Sequence, residues 1–181
     1  MAVAYAPDTD DEPLAGPQKT VEGQRALKTQ IVVVGGGAGG LELVRKLGAR
    51  FGRERHDIIL VERNATHIWK PLLHEVAAGS LDANMDELGY RSHGKRWGYR
   101  FFYGAMQGVD RARKRVRLAP ILDEDGAEIM GAHEIRYDWL VLAIGSESND
   151  FGTPGVRDHC LFLDSRTQAD RFRQKLLNQC L

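Results

Sequence analysis

Hydrophobic positions along the chain fall into a few short, strongly patterned stretches. Ile31-Val32-Val33-Val34 and Ile58-Ile59-Leu60-Val61 are apolar runs without polar alternation, the first closed by glycine and the second by Glu62. Such runs predict strands buried on both faces, as in a parallel sheet. Between them Leu41, Val44, Leu47 and Phe51 recur at helical spacing, and Gly52 marks a stop. Strand, helix and strand over about 30 residues make a βαβ unit. Trp139-Leu140-Val141-Leu142-Ala143-Ile144 predicts a third buried strand, closed by Gly145. Residues 68–90 predict a loop and a short helix. Phe101 to Arg117 predicts strands of a meander, and Asp123-Glu124-Asp125-Gly126 a turn. Ser165 to Leu181 has helical character.

Residues 1–29 lack this patterning. They hold Pro7, Pro13, Pro17 and the acids Asp8, Asp10, Asp11 and Glu12. A segment of this kind buries too little surface to offset its ordering entropy, so it is expected to be a disordered tail. It has neither the basic start nor the apolar stretch of a secretory signal, which points to the cytoplasm.

Composition narrows the function classes. The 181 residues carry 25 Lys+Arg against 25 Asp+Glu, a formal net charge of zero. A neutral chain has no global field to draw nucleic acid or an anionic membrane. No run approaches the ~18 apolar residues of a spanning helix. Two cysteines, Cys160 and Cys180, exclude a disulfide framework and a CxxC centre. Cys160, beside Leu161-Phe162-Leu163, reads as a small hydrophobe on a strand. No histidine pair has metal-ligand spacing with acids around it, so no metal site is expected. The stretch from Arg91 to Arg117 is locally basic, with interleaved aromatics. It reads as a solvated face balanced by later acids, rather than as a nucleic-acid platform.

Chemistry concentrates where the first strand meets its helix. Gly35, Gly37 and Gly40 fit GxGxxG, and Glu62 stands at the end of the next strand, 22 residues beyond Gly40. The string alone is weak; its position after a strand and before a helix carries the reading. Gly35 permits the tight turn, Gly37 lets backbone approach a pyrophosphate, and Gly40 allows close packing. The helix N-terminus offers unpaired N–H groups and about half a positive charge to phosphates. Glu62 can accept from both ribose hydroxyls and would repel a 2′-phosphate. The pattern specifies a dinucleotide, with FAD and NAD both open.

Two further segments bear on the choice. Tyr137-Asp138-Trp139-Leu140-Val141-Leu142-Ala143-Ile144-Gly145-Ser146 resembles the strand-plus-glycine signature of two-dinucleotide flavoproteins. His67-Ile68-Trp69-Lys70-Pro71-Leu72-Leu73-His74-Glu75-Val76-Ala77-Ala78-Gly79-Ser80-Leu81-Asp82, together with residues 145–156, closely resembles type II NADH dehydrogenases, the single-subunit NADH:quinone oxidoreductases. The resemblance runs from about residue 30 to residue 181.

The resemblance implies an α/β fold: a Rossmann-like FAD-binding domain with a parallel sheet and an inserted β-meander, incomplete at the C-terminus. On that reading residues 30–164 are the first part of the FAD domain, and 165–181 start the connection toward an absent NADH-binding domain. FAD is the implied bound cofactor and NADH the substrate, with a membrane quinone reduced by two electrons and no proton pumped. Gly35, Gly37, Ala38 and Gly40 would hold the pyrophosphate. Glu62 would hold the adenosine ribose, with Arg63 beside it. Lys70, Pro71 and Leu72 would line the flavin region, Lys70 as a cation near N1. Met106 would offer backbone to the adenine, and Ala143 and Gly145 would let the chain pass close to the cofactor. No catalytic side chain is expected, because the flavin carries the redox chemistry. The resemblance also implies a peripheral place on the cytoplasmic face of the inner membrane, reached through an absent C-terminal region. Disulfide reductases of the superfamily are excluded by the lack of a cysteine before Cys160. The alternatives are a truncated, non-catalytic flavin-binding fragment and a relative of sulfide:quinone reductases.

Overall fold

A computed structural model of the chain describes residues 3–5, 28–52, 54–82 and 87–180. The first βαβ unit forms as its patterning requires. Strand β2 (Thr29–Val34) leads into α1 (Ala38–Phe51), which returns to β3 (His56–Glu62). A long crossover follows. It contains β4 (Thr66–His67), a 3-10 turn at Lys70–Leu72, α2 (Leu73–Ala78), β5 (Leu88–Gly89) and α3 (Tyr90–Trp97), and it ends in β6 (Arg100–Tyr103). Strands β7 (Met106–Asp110), β8 (Arg115–Leu118) and β11 (His133–Arg136) make an antiparallel sheet, with β9 (Ile121–Leu122) and β10 (Glu128–Met130) as a side hairpin. The chain then re-enters the main sheet as β12 (Trp139–Leu142) and continues into α4 (Val156–His159) and α5 (Arg166–Cys180).

The main sheet runs β1-β12-β2-β3-β6, where β1 is Val3–Tyr5. The pairs β12–β2, β2–β3 and β3–β6 are parallel; β1 pairs antiparallel with β12. From β2 the chain moves outward through β3 to β6, whereas β12 lies on the other side of β2. Strand order therefore reverses between β2 and β12, which is where open α/β sheets bind ligands at the carboxyl ends of their strands.

Alternation along these strands sorts the core into two layers. Val32, Val34, Ile59, Val61 and Leu140 face the antiparallel sheet and pack with Val116, Leu118, Ile135 and Tyr137. Val33, Ile58 and Leu60 face the helices and pack with Val44 of α1, Tyr90 and Tyr99. A continuous β-branched run is thus the mark of a strand with helices on one side and a second sheet on the other. A third, smaller cluster joins Leu73, Val76 and Ala77 of α2 to Ala169 of α5.

Several expectations need correction. Val3–Tyr5, placed in the tail, form an edge strand, and Thr29 already belongs to β2; residues 6–27 lie outside the described residues. Phe101 and Phe102 belong to the parallel sheet as part of β6, not to the meander, because β3 offers an open edge for them. The third strand ends at Leu142, and Trp139 and Ile144 at either side are exposed. Beyond residue 164, Ala169 of α5 is fully buried against α2. Cys160 follows α4 in an exposed, non-strand position. Within the basic stretch Arg100 binds Asp57, Arg113 lies near Asp110 and Glu134, and Arg96 sits over the Trp97 ring. Tyr99 is buried, and Trp97 and Phe101 pack on the helix-side core, so they offer no open stacking platform.

The layered core makes a direct prediction. Ile59→Ala opens a void in a fully buried site between sheet and meander. It should cost about 2–5 kcal/mol in denaturant unfolding, whereas Ile129→Ala, on the exposed hairpin, should stay within about 0.5 kcal/mol.

Candidate dinucleotide site

The switch point is built from backbone at close range. Gly35 ends β2 with φ of +102° and donates its N–H to Val61 O at 2.8 Å. A Cβ at Gly35 would overlap the Ala143 carbonyl at the end of β12, and one at Gly40 would overlap the Gly35 carbonyl. The turn therefore nests between β12 and the first turn of α1 in space only glycine leaves open. Ala143 is itself buried and donates to Val34 O at 2.8 Å. Gly37, by contrast, has nothing within 4 Å of where its Cβ would stand. It is the N-cap of α1, with no side-chain cap and no acid in the first turn. Ala38 begins the helix beside it and is exposed. The N-terminal donors of α1 are thus left for an outside acceptor.

Glu62 fixes the same loop from β3. Its Oε2 accepts from Gly36 N at 2.8 Å, while Oε1 accepts from Asn64 N at 3.1 Å and Asn64 Nδ2 at 2.9 Å. Arg63 follows, exposed. The acid is therefore oriented before any ligand arrives.

Sequence reasoning missed the residue that holds the other end of Gly36. Tyr90, at the start of α3, donates its hydroxyl to Gly36 O at 2.6 Å and stacks on Phe101. Burial, reinforced by Glu62 and Tyr99, pushes its phenol well above the ordinary tyrosine range. His67 Nδ1 lies 3.2 Å from the same hydroxyl, and burial holds this imidazole below its usual value, partly offset by Glu62. A signal did exist: a tyrosine on the apolar side of a short helix needs a polar partner for its hydroxyl.

The remaining predicted residues separate into two groups. Gly145 lies just past Ala143, with φ of +75° and open space where a Cβ would be. Lys70, Pro71 and Leu72 form the 3-10 turn before α2. Lys70, expected as a cation near the flavin, has partners of its own. Its ammonium pairs with Asp164 Oδ1 at 2.6 Å and donates to Ser146 O at 2.9 Å. Asp164 Oδ2 accepts from Ser148 N at 2.9 Å, so this carboxylate ties the loop after β12 to the turn before α2. The Lys70 ammonium, more than the Ser148 N–H, holds Asp164 below the usual carboxylate range. Met106 stands apart on β7, in register with Leu118, and its side chain packs on the meander core. His74 is exposed, near Glu75. No group of three or more metal-ligating side chains occurs among the described residues.

The pyridine nucleotide-disulphide oxidoreductase family matches residues 29–181, which is the strand-turn-helix cradle and everything after it. The chain belongs to this family. Within the family, it is 52% identical over 148 residues to the type II NADH:quinone oxidoreductase of Haemophilus influenzae, covering 81% of this chain and 33% of that one. It is 25% identical over 159 residues to the mitochondrial external alternative NAD(P)H-ubiquinone oxidoreductase B4 of Arabidopsis thaliana, covering 87% and 26%. The chain thus spans about a third of the length of the curated relatives it matches. Among solved structures, NDH2 from Plasmodium falciparum in complex with NADH superposes with a TM-score of 0.68 at 22% identity, covering 85% of this chain and 30% of that one. The sulfide:quinone oxidoreductase of Aquifex aeolicus superposes at 0.65 and 20% identity, covering 84% and 32%. These two likenesses establish the family fold, a Rossmann-like α/β sheet carrying an inserted meander.

The Lys70–Asp164 pair gives a pH prediction. Asp164 has a folded pKa below its ordinary value, so its contribution is complete above about pH 4 and is lost as pH falls through the lowered value. Asp164→Asn should lower stability at pH 7 and flatten the decline between about pH 4 and pH 2, read by thermal unfolding across that range.

Proposed function

We propose that this chain holds FAD in the cradle at the carboxyl ends of β2 and β12 and is the flavin-binding part of an NADH:quinone oxidoreductase. The observation that carries the reading is the glycine turn. Side-chain space is closed at Gly35 and Gly40 and open at Gly37, directly before the uncapped N-terminus of α1. That arrangement suits a pyrophosphate, a doubly charged group that α1 can meet with several N–H donors at once. The carboxylate of Glu62, already held by Gly36 and Asn64, would accept from ribose hydroxyls. A 2′-phosphate there would face its negative charge. The 52% identity to a type II NADH:quinone oxidoreductase supports FAD over NAD in this first site.

When bound, FAD supplies the two-electron relay between NADH and a quinone. The protein's part is to bind, orient and exclude water. Gly35, Gly37, Ala38 and Gly40 would take the pyrophosphate, and Glu62 with Arg63 the adenosine. Met106 would present backbone near the adenine. Pro71, Leu72, Ala143 and Gly145 would border the flavin. Lys70, fixed on Asp164, would shape this border through the turn it anchors, rather than as an unpaired cation. NADH, a membrane quinone and a peripheral position on the cytoplasmic membrane face are proposed on the strength of the relatives. Among the described residues no helix is long and apolar enough to cross a membrane.

The test is flavin titration of the purified 181-residue chain. Stoichiometric quenching of FAD fluorescence is expected, weakened about tenfold or more by Glu62→Ala, which removes charge-assisted hydrogen bonds. Colourless protein that leaves FAD fluorescence unchanged would contradict the reading. NADH oxidation with a soluble quinone is not expected of the chain alone, because it carries a single GxGxxG.

A further inference from the structure

We infer that Tyr90 and His67 form a two-residue bracket that aims the Gly37 N–H of the glycine turn at the phosphate site. The inference rests on the dinucleotide reading above and adds two positioning residues to it.

Donors and acceptors fix the direction of both contacts to the Tyr90 hydroxyl. A carbonyl oxygen can only accept, so the 2.6 Å contact between Tyr90 and Gly36 O consumes the single phenolic proton. The 3.2 Å contact to His67 Nδ1 must then run the other way, with Nδ1–H donating to the phenolic oxygen. This fixes the ring: whether neutral or charged, His67 carries a proton on Nδ1. Burial favours the neutral form, which leaves Nε2 without a proton. A tyrosine that both donates and accepts is held more firmly than one that only donates, because the hydroxyl no longer rotates freely.

The consequence is transmitted through one peptide plane. In a trans peptide the N–H points opposite to the C=O. Tyr90 pulls the Gly36 carbonyl to its own side, so the N–H of Gly37 in the same plane faces away from Tyr90. A Cβ at Gly37 would meet nothing within 4 Å, so the residue has open space beside it. The opposite end of Gly36 is held as well, because its N–H donates to Glu62 Oε2 at 2.8 Å. Gly36 is therefore fixed at its N–H by the ribose-binding acid and at its C=O by Tyr90. Neither plane beside it can flip without losing a hydrogen bond. Room at Gly36 is equally restricted, since a Cβ there would overlap the Tyr90 hydroxyl. Glycine rotates readily, and three successive glycines would otherwise present the phosphate donors in many orientations. Tyr90, 54 residues away and seated against Phe101, removes that freedom.

The bracket is tested on the 181-residue chain by nitrogen NMR and nucleotide binding together. Long-range proton–nitrogen correlation should find the His67 proton on Nδ1; a proton on Nε2 alone would overturn the bracket. Tyr90→Phe keeps the ring on Phe101 and removes the hydroxyl. It should shift the Gly37 amide resonance and weaken FAD and ADP by about tenfold each, while adenosine, which lacks phosphate, loses less than twofold. Equal losses for ADP and adenosine, or FAD affinity within twofold of wild type, would mean that Tyr90 merely supports the fold. Should Tyr90→Phe fail to fold, His67→Ala serves the same comparison, with the same ADP-selective loss expected at about threefold. A wild-type chain that binds ADP but no FAD would remove the flavin assignment and leave the bracket to stand or fall on the ADP data.

Discussion

Backbone meets backbone at the turn after β2, and the remaining structure is arranged to permit it. Gly35 turns with positive φ under the carbonyl of Ala143, and Gly40 sits on the carbonyl of Gly35. This stacking requires β12 to lie beside β2 in parallel register and α1 to begin immediately after the turn. Register in a sheet buried on both faces is enforced by packing, since a slip of one residue would exchange the meander-facing and helix-facing sets. Val32 and Val34 on one side and Val33 on the other therefore do more than fill the core. They place the glycine turn against Ala143.

The polar contacts around the turn act on that frame. Glu62, at the end of β3, and Tyr90, at the start of α3, reach Gly36 from two elements separated by a long crossover. Lys70 and Asp164 perform a comparable task elsewhere. They join the turn before α2 to the segments after β12. The site thus draws on the carboxyl ends of three neighbouring strands and on the crossover helices, as expected where strand order reverses.

Much of this was legible in the sequence, for identifiable reasons. The first βαβ unit is local and strongly periodic, and the glycine turn with Glu62 has a fixed spacing. Both survive without tertiary information. What escaped was set by contacts between distant segments. Arg100-Phe101-Phe102-Tyr103 carries the half-buried pattern of a meander strand, and only the open edge of β3 makes it parallel. The partner of Lys70 is likewise remote: Asp164 lies far along the chain, and the pairing cannot be read from spacing. Cys160 next to three apolar residues resembled a strand position, yet the segment runs over the surface after α4. The role of Tyr90 depended on a partner that is a backbone atom, which no side-chain pattern announces.

Hydrogen–deuterium exchange with and without FAD tests most directly whether the carboxyl ends of β2 and β12 receive a dinucleotide. The account predicts added protection in peptides spanning residues 35–41, 62–64 and 143–146, with residues 121–130 of the side hairpin unchanged. Protection centred on the hairpin or on α5, with the glycine turn exchanging at its ligand-free rate, would contradict it.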